Sequence, residues 1–268
     1  MVIYIENNKE INLILQGGGV KGLAYIGALR CFEEYGYKVK NISGSSIGAV
    51  IGCLIIAGYN SYELEQIINN LDYSIFTKRN NLKESIKRKG LFTTKHLEYM
   101  LTDLLLKKGI RTFKDIKVGK NYKAIFTCTS LKHQRIFVLP YDLKLLNIDP
   151  DTFLVSQAAM MSASLPFFYE PFKLKDEYFY DGGMSDNYPL WCFKEGIALK
   201  LSNENKYHKI FKETIFGKIN NHNYIQQIYI DTKEFKATEV KKGFINRYKL
   251  FNKGYYAVKQ FIMKSKYD

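Results

Sequence analysis

No stretch of about 18 apolar residues occurs in this 268-residue chain, so the sequence predicts no transmembrane helix. The first ten residues also lack the basic start and apolar core of a secretory signal peptide. We therefore expect a cytoplasmic protein whose contact with a membrane is at most peripheral. Export by a route that needs no signal peptide stays open.

Cysteine and proline are scarce, with four and five residues respectively. The cysteines are widely spaced and lie mostly in apolar stretches, which indicates buried thiols in a reducing compartment rather than a disulfide framework or a zinc site. No Pro-, Ser- or Gly-rich linker divides the chain, so we predict a single domain over residues 1–268. The cysteines are Cys31, Cys53, Cys128 and Cys192.

Acidic residues are few relative to basic ones, with 26 Asp and Glu against 40 Lys and Arg, which gives a formal net charge of +14. The excess lies mainly in residues 78–95 and from residue 206 onward. A solvated, lysine-rich surface explains this charge, and so does attraction to an anionic phospholipid surface or to nucleic acid. Composition alone leaves these interpretations open.

Apolar runs of strand length and of helix length alternate along the chain. A strand at 11–16, a helix at 20–35, a strand at 39–43 and a helix at 47–58 give a βαβα order, which predicts an α/β fold with a mostly parallel sheet. The further predicted elements are helices at 61–71, 94–107, 151–162 and 244–263, strands at 122–129, 134–139 and 224–231, and a strand pair at 168–180.

A G-x-S-x-G pattern occupies residues 44–48, where Ser46 stands between Gly44 and Gly48. The pattern follows the strand at 39–43 and opens an apolar helix, the context in which a serine becomes a strained, exposed nucleophile. The two glycines leave room for the turn, because a side chain at either position would crowd it. A serine that merely caps the helix is the alternative.

A glycine-rich string, Gly17-Gly18-Gly19-Val20-Lys21-Gly22, follows the first strand and opens a helix. Glycines at this point let backbone N–H groups turn inward and bind an anion, either a phosphate or the oxyanion of a tetrahedral intermediate. The string also matches G-x-G-x-x-G, so a nucleotide-binding α/β protein is an alternative. That alternative needs an acidic residue at the end of the second strand, and residues 41–43 contain none.

The base that would activate Ser46 is not an obvious histidine. Four histidines lie in basic or polar segments with no motif around them: His96, His133, His208 and His222. Asp181 is the other candidate, since it follows the aromatic stretch 177–180 and precedes Gly182 and Gly183. Partial burial there would raise its pKa and make it a better proton acceptor near neutrality. An ordinary Asp-Gly-Gly turn is the alternative.

Together the three motifs resemble those of the patatin-like phospholipase family, in the same order and with suitable spacing, over residues 11–195. The stretch 158–171 and the Asn187-x-Pro189 sequence add to the resemblance. Residues 196–268 are then a C-terminal extension that carries the late strand and an amphipathic helix. The resemblance implies a single three-layer α/β/α domain with a mostly parallel central sheet.

The resemblance also implies a lipid acyl hydrolase that cleaves fatty-acyl esters of phospholipids or acylglycerols, with no metal or cofactor. Ser46 would be the nucleophile and Asp181 the base of a dyad, with an oxyanion hole formed by Gly17, Gly18 and Gly19. The family often has Asp where this chain has Gln16, and often Arg where it has Lys21. The supporting motif residues are Lys21, Gly22, Gly44, Gly48, Gly182 and Gly183.

Two segments are candidates for contact with an anionic membrane surface. The helix at 244–263 has an apolar stripe that suits either the core or a lipid interface, and the region 76–92 is aromatic and basic. An acyl lipid is the expected partner, and nucleic acid is not expected. A nucleotide-binding protein and a catalytically silent lipid-binding protein are the alternatives to a hydrolase.

Overall fold

A computed structural model describes residues 9–77, 90–201 and 224–265 of the chain. The strands in these ranges are β1 (Lys9–Leu15), β2 (Tyr37–Ser45), β3 (Gly90–Phe92), β4 (Lys117–Val118), β5 (Asn121–Tyr122), β6 (Ala124–Ser130), β7 (Arg135–Leu139), β8 (Phe167–Tyr169), β9 (Phe172–Leu174), β10 (Glu177–Asp181), β11 (Glu195–Leu201) and β12 (Tyr224–Ile230). The α-helices are α1 (Ala24–Glu34), α2 (Ile47–Ile56), α3 (Ser61–Asn70), α4 (Lys95–Lys107), α5 (Val155–Ser162), α6 (Val240–Ile245) and α7 (Arg247–Lys264).

The main sheet has the strand order β12-β11-β1-β2-β6-β10-β9 in the described part of the chain, with β7 also paired to β6. Neighbouring strands from β12 to β6 run parallel, whereas β7, β9 and β10 join by antiparallel pairing. Helices flank this sheet, and the predicted α/β fold with a mostly parallel sheet is confirmed. All seven residues of β6 are buried, as a strand covered on both faces requires.

The first half of the chain follows the predicted βαβα order closely. The glycine string leads through a 3₁₀ turn, Gly19–Leu23, into α1, so the α-helix proper begins four residues later than predicted. Later elements are more divided than predicted. The predicted strand at 122–129 is interrupted at Lys123, whose amide donates to the carbonyl of Ile116 at 2.9 Å.

The predicted strand pair at 168–180 is three short strands, β8, β9 and β10. Pro171 has no amide hydrogen and separates the first two, and Lys175, with a φ of 52°, turns the chain between the last two. The helix predicted at 151–162 begins only at Val155, because a 3₁₀ turn, Pro150–Thr152, precedes it.

The predicted C-terminal helix is two helices, α6 and α7, which meet at Asn246. α7 packs closely on α1: a Cβ at Gly254 would lie 1.8 Å from the carbonyl oxygen of Ala24, and one at Gly27 would lie 1.9 Å from that of Phe251. The helix therefore docks on the core, and α1 occupies the face that an interface would need. Its buried residues are Leu250, Gly254, Val258 and Ile262.

Within the ranges that the structure describes, no helix combines the length and apolar character needed to span a membrane. The basic segment 78–95 and the region 76–92 lie largely outside these ranges, which resume at residue 90.

Candidate active site

The central strand β6 brings Ser46 and Asp181 together. Ser45, the last residue of β2, pairs with Thr127 of β6, and Asp181, the last residue of β10, pairs with Cys128. β7 occupies the other edge of β6 at these same positions, so β2 and β10 end beside each other on one edge. Two residues 135 positions apart in the sequence therefore meet at the carboxyl end of the parallel strands.

Ser46 adopts a strained backbone conformation at the turn between β2 and α2. Its φ of 54° and ψ of −125° lie in a region that residues with a side chain rarely adopt. A Cβ at Gly44 would lie 2.6 Å from the carbonyl oxygen of Gly48, and one at Gly48 would lie 2.4 Å from that of Leu15. Both glycines are therefore needed for the close approach of the turn to the strand end.

The turn is held from α5. The amide of Ser46 donates to Oγ of Ser162 at 2.9 Å, and the Ser162 hydroxyl donates to the carbonyl of Thr127 at 2.7 Å. Ser162 lies in the stretch 158–171 that added to the family resemblance, but the sequence assigned it no role. Its bond to Ser46 crosses 116 residues, and no local pattern reports such a contact.

The hydroxyl of Ser46 donates to Oδ2 of Asp181 at 2.6 Å, and α2 receives no capping bond from it. The other carboxylate oxygen, Oδ1, accepts the amide of Gly183 at 2.6 Å. Asp181 is only 1% exposed. Burial raises the pKa of its carboxyl group to about 6, against the lowering effect of these two hydrogen bonds.

Close packing explains the glycines that follow Asp181. A Cβ at Gly182 would lie 2.2 Å from the carbonyl oxygen of Thr127, and one at Gly183 would lie 2.8 Å from Oδ1 of Asp181. The backbone of Asp181 is also fixed, because its amide donates to the carbonyl of Ser164 at 2.9 Å. The Asp-Gly-Gly motif is therefore a tightly packed strand end that leads into a 3₁₀ turn, Gly182–Met184.

The glycine loop lies against Ser46, and Asn187 holds it there. The amide of Gly17 donates to the carbonyl of Asn187 at 2.9 Å, and Nδ2 of Asn187 donates to the carbonyl of Gly17 at 3.0 Å. A Cβ at Gly17 would lie 3.0 Å from Cβ of Ser46. In the sequence, Asn187 stands out only as part of the Asn187-x-Pro189 motif, without this role.

Gly17, one of the three predicted oxyanion donors, uses its amide to donate to the carbonyl of Asn187. The amides of Gly18 and Gly19 donate to no other group in the described part of the chain. Gly19 has a φ of 55°, and the next amide, that of Val20, donates to the carbonyl of Ala237 at 3.0 Å. Of the four amides from Gly17 to Val20, two are therefore engaged and two are not in the described part of the chain.

The departures from the family pattern are accommodated inside the protein. Oε1 of Gln16 accepts the amide of Leu201 at 2.7 Å and so ties β1 to β11. Lys21 is buried, and this burial lowers the pKa of its ammonium group.

Gly22, a supporting residue of the glycine string, packs on Ile47. A Cβ at Gly22 would lie 2.5 Å from Cγ1 of Ile47.

Neither described histidine reaches this site. His96 is exposed on α4, and His133 lies 3.0 Å from the buried carboxylate of Glu177 at the opposite end of β10. His208 and His222 lie outside the described residues. Among the described residues there is also no cluster of three or more His, Cys, Asp or Glu side chains that could bind a metal ion.

A family model described as patatin-like phospholipase matches residues 13–193. The chain belongs to this family. The uncharacterized protein YqhO of Bacillus subtilis is 36% identical over 198 residues, which cover 69% of the chain and 67% of that protein. A probable lipid hydrolase of Invertebrate iridescent virus 6 is 27% identical over 205 residues, 74% of the chain and 66% of that protein.

Solved structures share the patatin-like fold. VipD from Legionella pneumophila superimposes with a TM-score of 0.59 at 14% identity, over 96% of the chain and 67% of VipD. The type III effector protein ExoU gives a TM-score of 0.55 at 17% identity, over 95% of the chain and 53% of ExoU. The chain thus spans only about half of ExoU. The family is described as one of patatin-like phospholipases, and the viral relative is named a probable lipid hydrolase.

Proposed function

We propose that this patatin-like protein hydrolyses fatty-acyl esters of phospholipids or acylglycerols through a dyad of Ser46 and Asp181. The observation that carries the proposal is the 2.6 Å hydrogen bond from Ser46 Oγ to Asp181 Oδ2, made at a strained turn between β2 and α2. A nucleophile within hydrogen-bond reach of a base is the arrangement that acyl transfer requires.

In the acylation step, Ser46 Oγ attacks the ester carbonyl carbon and its proton passes to Asp181 Oδ2. The C–O bond to the alcohol or lysolipid breaks, and that group leaves with the proton. Asp181 then takes a proton from water, whose oxygen attacks the acyl-serine. The bond from the acyl carbon to Ser46 Oγ breaks, the fatty acid leaves, and the proton on Asp181 returns to Ser46 Oγ. A carboxyl group with a pKa of about 6 suits this role, because it is mostly ionised at neutral pH yet more basic than an exposed Asp.

The tetrahedral intermediate needs donors for its oxyanion, and we assign this role to the amides of Gly18 and Gly19. One such donor typically stabilises a transition state by about 3 kcal/mol. Gly17, which the sequence analysis placed in the same group, would instead position the loop through its two hydrogen bonds with Asn187.

The substrate would be met at a membrane or another lipid surface, with the protein bound peripherally. The formal charge of +14 favours anionic lipid. The alternative of nucleotide binding has little support, since Asn187 and Ala237 engage two of the loop amides. A catalytically silent lipid-binding protein would have no use for a strained serine bonded to a buried carboxylate.

A fluorophosphonate probe tests the nucleophile directly, because it labels a serine only where a base and an oxyanion hole activate it. We expect labelling of the wild-type protein and none of the variants Ser46→Ala and Asp181→Asn. Ser45→Ala is the matched control, since this neighbouring hydroxyl is buried and has no partner among the described residues. Labelling that persists in Ser46→Ala would contradict the proposal.

The substrate class is tested by mass spectrometry of the products from a mixed panel of phospholipids and acylglycerols. Ser46→Ala protein serves as the blank. Release of free fatty acid by the wild-type protein alone is expected. If the serine is labelled but no lipid releases fatty acid, the protein is an esterase of another substrate class. If the serine is not labelled and no fatty acid is released, the result favours the catalytically silent lipid-binding protein.

A further inference from the structure

Phe167 is the most exposed large apolar side chain of the described residues, at 83%. Its φ of 67° lies in the left-handed region, which a bulky aromatic residue adopts only where the surrounding structure imposes it. Contact with water alone explains neither the exposure of this apolar ring nor its left-handed backbone conformation. We propose that Phe167 is an anchor that inserts into the surface of a lipid aggregate and holds the mouth of the site against it.

Phe167 lies close to the candidate site along the chain. The carbonyl of Ser164 accepts the amide of Asp181 at 2.9 Å, and Phe167 follows three residues later. Three residues span at most about 11 Å, so the Cα atoms of Ser164 and Phe167 cannot be farther apart than that. The intervening Leu165 and Pro166 are also apolar and only half-buried. The exposed ring thus ends an apolar rim that begins at the Asp181 backbone.

Phe167 belongs to a two-stranded sheet. β8 pairs in parallel with β3, with Phe167 opposite Gly90 and Tyr169 opposite Phe92. The ring of Phe92 packs against Phe168 at a centroid distance of 6.0 Å, and the hydroxyl of Tyr169 donates to the carbonyl of Phe76 at 3.1 Å. The aromatic neighbours Phe168 and Tyr169 therefore contact the rest of the protein, whereas the ring of Phe167 is exposed.

A lipid surface is the partner that this rim fits, an inference that rests on the proposed function. Acyl lipids assemble into membranes or droplets, and an enzyme that cleaves their esters must bring its serine to that surface. The ring of Phe167 offers the apolar contact. Lys95, exposed at the start of α4 just after β3, offers positive charge for anionic headgroups.

Vesicle binding tests the anchor separately from catalysis. The parent protein and all variants carry Ser46→Ala, so that none of them hydrolyses the vesicle lipids. Phe167→Asn tolerates the positive φ but removes the ring, and Phe167→Trp keeps an apolar aromatic side chain. With vesicles of phosphatidylcholine and phosphatidylserine, we expect Phe167→Asn to co-sediment about tenfold more weakly and Phe167→Trp to bind like the parent. Unchanged thermal unfolding would show that each variant is folded.

Tyr248→Asn is the matched control, because Tyr248 is another exposed aromatic residue, 55% exposed, on the C-terminal helix α7. It should bind as the parent does. In Phe167→Trp, the difference emission spectrum against the parent should shift to the blue on vesicle addition, since indole emission responds to loss of water. Equal binding by Phe167→Asn and the parent, or a loss confined to Tyr248→Asn, would overturn the proposal.

Activity separates this proposal from the proposed function. In the background with Ser46 intact, the ratio of hydrolysis on vesicles to hydrolysis of a soluble short-chain ester should fall about tenfold in Phe167→Asn and stay constant in Tyr248→Asn. Vesicle binding through Phe167 without any hydrolysis would refute the catalytic dyad and keep the anchor. Hydrolysis with an unchanged ratio would keep the dyad and refute the anchor.

Discussion

The carboxyl group of Asp181 combines burial with two hydrogen bonds, from the Ser46 hydroxyl and the Gly183 amide. Burial disfavours its ionised form more strongly than these bonds favour it, so the pKa rises to about 6 from the ordinary 3.8. Two measurable consequences follow at this residue, one for the reaction and one for stability.

The rate of hydrolysis should rise as the pH increases through about 6, because only ionised Asp181 can accept the serine proton. The measurement is kcat/KM for a soluble short-chain ester as a function of pH, which reports the free protein. A rate that rises instead through pH ~4, the ordinary range of an exposed Asp, would show that the base does not have the raised pKa of a buried carboxyl group.

Asp181→Asn should make the folded protein more stable at neutral pH. A carboxyl group with a pKa raised from 3.8 to about 6 stabilises the folded state fully below the unfolded value, and that contribution is lost as the pH rises through 6. Relative to its value near pH 3, the unfolding free energy of the variant minus that of wild type should increase by ~3 kcal/mol above pH 7.

Chemical denaturation at several pH values gives this difference. Asp176→Asn is the control, since Asp176 is exposed in the turn before β10. A difference for Asp181→Asn that does not vary with pH would mean that the carboxyl group titrates normally in the folded chain.

At the scale of elements, local patterns were sufficient for β1, β2 and the helices that follow them. The strand, turn and helix around Ser46 are contiguous in sequence, so alternation and glycine placement predict them. Ser162 and Asn187 could not be assigned in this way. Their bonds to Ser46 and Gly17 cross 116 and 170 residues, and they depend on the pairing register of strands far apart in the chain.

The C-terminal helix was predicted only in part, for a different reason. Its apolar periodicity predicts a helix with one apolar stripe, but the line of buried residues passes from Leu250 to Val258 through Gly254, which has no side chain. Gly254 is buried because α1 approaches so closely that no side chain fits there. Hydrophobicity alone does not reveal a contact made by backbone atoms.

Gly254→Ala should therefore destabilise the packing of α7 on α1. An added Cβ would lie 1.8 Å from the carbonyl oxygen of Ala24, which is backbone and cannot rotate away. We expect a loss of about 1–3 kcal/mol in the free energy of unfolding, the usual cost of overpacking. Tyr256→Ala, on the exposed side of the same helix, is the control and should change stability by less than about 0.5 kcal/mol.

At the scale of the whole molecule, we propose that the part before residue 195 and the C-terminal extension fold as one unit. β12 extends the parallel sheet beside β11, and α7 covers α1. The carbonyl of Ala237 in the extension accepts the amide of Val20 in the glycine loop at 3.0 Å. The proposed site thus depends on residues well outside the stretch that carries its three motifs.

A chain that ends at residue 201 should accordingly fail to fold, since the apolar face of α1 and one edge of β11 would be exposed to water. The expected result is loss of the cooperative thermal transition seen for the 268-residue chain, together with rapid digestion by trypsin. A truncated chain that unfolds cooperatively and still reacts with a fluorophosphonate would refute the single unit.

The register of β6 also has a consequence for the cell that makes this protein. On the proposed chemistry, a nascent chain that has formed only β1, α1 and β2 displays its serine without a base, because Asp181 is synthesised 135 residues later. Only when β10 is paired with β6 does the reactive couple exist. Biosynthesis thereby delays the capacity to attack lipids until the sheet is assembled, so unfinished chains pose no hazard to the membranes around them.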